Sequence, residues 1–187
     1  MSQSSVFHEI FGHRVEGHRL RQQTDAHTFK SQLGEKILPD AISITFDPTV
    51  ATFDGVPLYG NYKYDDEGVA ARKVEVVKNG TFATYLMSRQ PVEGISNSNG
   101  HGRCEPGMEP VSRQSNLFVS SKTYISEADL HEKLRKMCKK QKKEYGYLFE
   151  EVIGGFTKAD RMSINAFNII PILVYRVYAD GRPDEMV

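Results

Sequence analysis

The run Arg72-Lys73-Val74-Glu75-Val76-Val77-Lys78-Asn79-Gly80-Thr81-Phe82-Ala83-Thr84-Tyr85-Leu86-Met87 decides the architecture. Two segments rich in β-branched and aromatic residues flank Asn79-Gly80. That dipeptide tolerates positive φ at both positions, as a two-residue type I′ turn requires. The spacing predicts an antiparallel hairpin, Arg72 to Lys78 against Thr81 to Met87.

Working outward, Ala41 to Asp47 reads as a strand closed by Asp47-Pro48. Thr52 to Asn61 contains Asp54, Gly55, Pro57 and Gly60, which mark turns. Gly94 to Gly107 is rich in Gly, Asn, Ser and Pro and reads as a loop, and Asn116 to Ser121 as a short strand. Ser126 followed by Asp129 resembles a capping box with Asp in place of Glu. It opens a helix to about Glu144 with Leu130, Leu134, Met137, Cys138 and Gln141 along one side. Tyr147 to Ile153 and Phe167 to Tyr178 read as strands, the second broken at Pro171. At the start, Ser4 or Ser5 is placed to cap a helix running to about Gln23. Between that helix and Pro39, Phe29, Leu33 and Ile37 are spaced by four, which suits a short helix or an ordered loop equally. The expected class is α+β, an antiparallel sheet with an N-terminal helix and one further amphipathic helix. Residues 1–187 are expected to form a single domain.

Composition narrows the functional classes. At 187 residues and 39% hydrophobic, the chain can bury one core. Lys plus Arg and Asp plus Glu both total 24, so no net field draws the chain to nucleic acid or an anionic membrane. No apolar run approaches the roughly 20 residues that cross a bilayer. Cys104 and Cys138 lie far apart, which suits a reducing compartment and predicts the cytoplasm.

The first helix carries the chemistry. His8-Glu9-Ile10-Phe11-Gly12-His13 is an HExxxH pattern, one residue longer than the HExxH in which two histidines share a helix face. At about 100° per residue, positions five apart on an ideal helix diverge by roughly 140°, against roughly 40° for positions four apart. A single π-type turn would bring His8 and His13 back to one side, and Gly12 would tolerate the distortion. A kinked or bulged helix over residues 9 to 13 is therefore expected. Catalytic zinc takes three protein ligands and a water, and Glu9, beside the first histidine, is placed to take that water's proton. The competing reading is a pair of surface histidines on an amphipathic helix. Glu16 projects between the two histidines, as an orienting carboxylate or a surface charge, whereas His18 and His27 read as ordinary polar residues.

The longer run His8 to Gly17 closely resembles the HExxxHxxEG motif of the TldD/PmbA family, described both as modulators of DNA gyrase and as peptidases. Asp65-Asp66-Glu67-Gly68 resembles the family's DDEG segment. The Asn79-Gly80 hairpin, the loop Ser98 to Arg103, and Pro110, Arg113, Ser115 and Asn116 of a P-x-x-R-x-[ST]-N pattern follow in order. The strand Ile172 to Tyr178 looks like the family's late strand.

The resemblance implies a zinc-dependent peptidase of flexible peptides, with His8 and His13 as metal ligands and Glu9 as general base. It also implies assembly as a homo-oligomer or a TldD/PmbA-type hetero-oligomer. Two departures matter: the family has a domain ahead of the histidine helix, and its third ligand is a cysteine beyond the last strand seen here. The chain is therefore expected to be part of a longer catalytic domain, with zinc bound weakly or not at all. His101 and Cys104 have suitable donors but not the family position. A non-catalytic peptide-binding or assembly subunit is the alternative, and a gyrase-modulating role comes third.

Other features have plainer readings beside functional ones. Asp65 to Glu67 could collect a cation but suits a structural turn, and the basic face of the second helix reads as solvated. Arg113 and Asn116 could hold a substrate peptide or anchor a loop. Cys138 reads as a packing residue.

Overall fold

The computed structural model of the 187-residue chain describes residues 2–21, 29–158 and 166–187. Its centre is a four-stranded antiparallel sheet. β1 (Ile42–Phe46), β4 (Val74–Lys78), β5 (Thr81–Phe82) and β8 (Leu117–Ser121) lie in the order β5-β4-β1-β8. Val74, Val76 and Val77 of β4 are buried, the alternation breaking at the adjacent Val76 and Val77 where pairing with β1 shifts register, and they meet Ile44, Phe46, Phe82, Tyr85, Leu86 and Met87 in one buried cluster.

The Asn79-Gly80 turn forms as expected, with φ of 48° and 80° and the pairs Val77↔Phe82 and Lys78↔Thr81 on either side. Its second strand is shorter than the pattern suggests. The Ala83 N–H still donates to Val76 O at 2.8 Å, after which Leu86 pairs in parallel with Glu16. Residues 52–61 hold a second tight hairpin. β2 (Thr52–Phe53) and β3 (Val56–Pro57) are joined by Asp54 and Gly55, both at positive φ.

The loop after residue 94 contains one brief regular piece, β6 (Gly102–Arg103), paired with β7 (Val111–Ser112). Around it the acidic run is wired into the backbone. Asp65 accepts from the amides of Glu67, Val69 and Gly102 at 2.8–3.0 Å, and Asp66 accepts from Arg103 and the Cys104 amide. These carboxylates act as turn-builders.

The second helix, α2 (Glu127–Lys140), starts where the cap places it: Ser126 Oγ accepts from the Asp129 amide at 3.1 Å. It ends four residues before the expected Glu144, at a turn that leaves Lys142 at φ 55°. It packs through Leu134 and Cys138 on a long hairpin, β9 (Tyr145–Lys158) against β10 (Ala166–Tyr178), with the short β11 (Glu185–Met186) on the far edge of β10, whereas Leu130 and Met137 of the expected stripe stay exposed. Leu134 and the buried Cys138 press so closely on Gly146 that a Cβ there would sit 2.7 Å from Leu134 Cδ1 and 2.9 Å from Cys138 Sγ. Both strands outrun their expected bounds. Pro171 does not break β10; pairing shifts register between Ile169 and Val174 and then resumes, which is how a strand accommodates a residue without an N–H.

The N-terminal segment departs most from expectation. α1 (Ser2–Phe11) begins before the serines expected to cap it, so Ser4 and Ser5 lie inside the helix. It stops at Phe11, and two 3₁₀ turns, Gly12–Val15 and Gly17–Arg21, replace the longer helix expected to run to Gln23, a residue outside the described range like His27. The physical reason is the strand-like step at Glu16, with ψ near 111°, where Leu86 N–H donates to Val15 O and Gly17 N–H donates to Leu86 O, both at 2.9 Å. A continuous helix would forfeit those two bonds. Among the described residues of the ambiguous stretch before Pro39, the helical piece is a short 3₁₀ turn, Lys30–Gln32. Phe7 and Phe11, one helical turn apart, stack and continue through Phe29 to Phe82, with centroids 5.4–5.8 Å apart. They fix α1 on the core, and α1 also packs on β8 and β9.

Candidate metal centre

With Phe7 and Phe11 committed to the core, His8 and Glu9 face the cleft between α1, the segment before β8, and β9. That cleft holds about 560 Å³ and is lined by His8, Glu9, Gly60, Gln114, Ser115 and Asn116, among others. The expected π turn is absent. The helix instead breaks at Phe11, whose φ of −113° departs from helical values, and Gly12–Val15 continues as a 3₁₀ turn. The break converges the rings: the His8 and His13 centroids lie 4.9 Å apart at an interplanar angle of 67°.

Each imidazole is held through Nδ1. His8 Nδ1 lies 2.8 Å from Gln114 Oε1. An amide oxygen only accepts, so His8 Nδ1 carries the proton and donates. His13 Nδ1 lies 3.2 Å from Glu16 Oε1 and donates to that carboxylate. Among the described residues no hydrogen bond engages either Nε2. Glu9 is buried, and its Oε1 sits 3.8 Å from His8 Nε2.

Glu16 anchors the group. Its side chain is fully buried, and it accepts from Arg19 Nε at 3.0 Å and from Gln114 Nε2 at 3.2 Å, with Arg113 Nη1 at 3.6 Å. Burial pushes its pKa up, but the hydrogen bond and charge of His13, with Arg113 and Arg19, outweigh that and hold it below the usual carboxylate value. His18 is different: burial lowers its pKa, and it takes no part in the ring pair.

The donor set partly fits a metal. Two rings bound at ordinary zinc–nitrogen distances of about 2.0–2.1 Å on tetrahedral corners would have centroids on the order of 5 Å apart, and the observed pair meets that. A carboxylate, carbonyl or water accepting from the second ring nitrogen is the usual support for a ligating histidine; Glu16 fills that role for His13 and the amide oxygen of Gln114 for His8. The set is not closed, because among the described residues no third His, Cys, Asp or Glu joins the two rings. His101 is buried, with Nδ1 3.2 Å from Asn99 O and Nε2 3.0 Å from Ser115 Oγ, and Cys104 is exposed beside Asp66.

Of the other candidates, Arg113 stands over Glu16. Asn116 spends its amide on backbone: its Nδ2 donates to Val50 O and Asp47 O, and its Oδ1 accepts from Gly60 N–H. Those are loop-anchoring contacts. Gln114 is the residue that sequence reasoning passes over. It occupies a variable position of the P-x-x-R-x-[ST]-N pattern, 106 residues from His8, and no local signal points to such a contact.

Comparison with known proteins identifies the family. Residues 2–172 match the model of the PmbA/TldA metallopeptidase C-terminal domain. A metalloprotease of Methanocaldococcus jannaschii is 36% identical over 113 residues, 60% of this chain and 24% of that protein. One of Archaeoglobus fulgidus is 33% identical over 132 residues, 70% and 29% respectively. This chain thus spans about a quarter of the length of these relatives. The crystal structure of TldE from Thermococcus kodakarensis superposes with a TM-score of 0.64 at 18% identity, over 99% of this chain and 37% of that one, and shares its fold. The chain belongs to the TldD/PmbA metallopeptidase family.

Proposed function

Taking that membership as the premise, we propose that this chain is the part of a zinc-dependent peptidase that carries the first two metal ligands and the general base. The observation that carries the reading is the convergence of His8 and His13 across a broken helix, each ring held through Nδ1 with Nε2 left for a metal. When bound, zinc would lower the pKa of a coordinated water toward about 7 and polarise the scissile carbonyl.

The chain's own residues supply the rest. Glu9, buried beside His8, takes a proton from the attacking water and returns it to the leaving amine. Glu16 and Gln114 hold the rings in place. A flexible peptide lies in the cleft over Glu9 and extends past Gly60 and Gln114 into an adjoining depression of about 530 Å³ lined by Tyr59, Met108 and Arg113. Hydrolysis requires a third donor, which no described residue provides.

Zinc content and cleavage of an unstructured peptide, measured on this chain and on a longer polypeptide containing it, test the proposal. Zinc bound with cleavage by the longer form is expected. Peptide binding without hydrolysis under saturating zinc in both forms would favour a non-catalytic subunit.

A further inference from the structure

Gly12 and Gln114 are joined by a fact that neither the motif nor the metal chemistry requires. A Cβ on Gly12 would fall 2.7 Å from Gln114 Nε2 and 2.8 Å from Gln114 Cδ, and closer still to Gln114 Oε1. Gly12 does not adopt positive φ, so backbone freedom is not what glycine provides there. It provides the space in which the Gln114 amide lies.

From that slot the amide faces two ways. Its oxygen accepts from His8 Nδ1–H at 2.8 Å, and its nitrogen donates to Glu16 Oε1 at 3.2 Å, the same oxygen that His13 Nδ1 approaches at 3.2 Å. The orientation of an amide is set by its partners, and here both ends agree: His8 can donate only to an oxygen, and a carboxylate can accept only from the nitrogen. A carboxylate at position 114 would keep the first bond and lose the second, and an alkyl chain would lose both.

We infer that Gln114 is a positioning residue, seated in the space left by Gly12, which fixes His8 as its Nδ1–H tautomer and ties it to the Glu16 carboxylate that holds His13. The two rings are thereby oriented before any metal arrives. This rests on the metal-centre reading above for its purpose, though not for its test.

The test uses the metal-free chain. Long-range ¹⁵N–¹H NMR correlations read the tautomer of His8 directly in the wild type, Gln114→Ala, Gln114→Glu, Gly12→Ala and the double variant Gly12→Ala/Gln114→Ala, with the backbone spectrum confirming that each folds. The Nδ1–H form is expected to dominate in the wild type, to give way to a mixture in Gln114→Ala, and to return in Gln114→Glu, which restores the acceptor. Gly12→Ala should reproduce the Gln114→Ala pattern by displacing the amide. In the double variant it should add nothing, because the clash is gone. Where zinc binds, Gln114→Ala should weaken it by about 10- to 100-fold. A His8 tautomer unchanged in Gln114→Ala, or a Gly12→Ala effect as large in the double variant as alone, overturns the inference. Failure of every form to bind zinc would count against the metal-centre proposal, leaving the tautomer data to decide this one.

Discussion

α2 and the histidine segment are both helical, both begin near serines and both pack on strands, yet different forces hold them. α2 is secured by local features: a Ser126 cap, and Leu134 and Cys138 against the partner hairpin that Gly146 lets approach. The segment from Ser2 to Arg21 is secured by distant ones: a parallel bridge to Leu86, a phenylalanine ladder reaching Phe82, and polar contacts to Gln114 and Arg113. Local rules stabilise a regular helix, whereas long-range partners can hold a broken one, and here the break brings two imidazole rings to 4.9 Å from each other.

The contrast can be broken most sharply at Glu9. Glu9→Gln preserves shape and should lower peptide hydrolysis about 10²- to 10⁴-fold in a zinc-replete form that cleaves peptide, with zinc content unchanged; kcat measured on an unstructured peptide checks it. Retained turnover would remove Glu9 from the chemistry.

Acid should act next, through the buried polar groups near the histidine segment. Burial lowers the pKa of His101 from 6.5 to about 4. Between those pH values the unfolded chain binds a proton that the folded chain refuses, so stability is complete above about 6.5 and declines as the pH falls toward 4. The loss should reach about 3 kcal/mol, and urea unfolding across that range should show the slope, flattened in His101→Gln.

Glu16→Ala should cost about 2–3 kcal/mol, less than the 3–5 typical when a fully buried pair is broken, because the side chains of Arg19 and Arg113 are 33% and 45% exposed. Chemical denaturation measures it. On the other side of the comparison, Ser126→Ala should cost about 1 kcal/mol through loss of the cap and leave zinc binding untouched. An effect on zinc from Ser126 would mean that the two regions are coupled.

These differences also explain what could be read in advance. The Asn79-Gly80 turn, the start of α2, the packing role of Cys138 and the antiparallel class depend on neighbours a few residues apart, and all were legible. The end of α1 was not, since Leu86 competes for its backbone from 70 residues away. The convergence of His8 and His13 was anticipated from the motif, but by a widened turn where the structure has a break. Gly12 was read as a hinge, and its packing against Gln114 has no trace in spacing.

The most direct test of the account is a zinc titration of this chain followed by the ring nitrogens of all its histidines. The expected result is that the Nε2 signals of His8 and His13 move together along one shared binding curve, and that both responses disappear in His8→Ala and in His13→Ala. Zinc that shifts neither ring, or that binds as well without them, would contradict it.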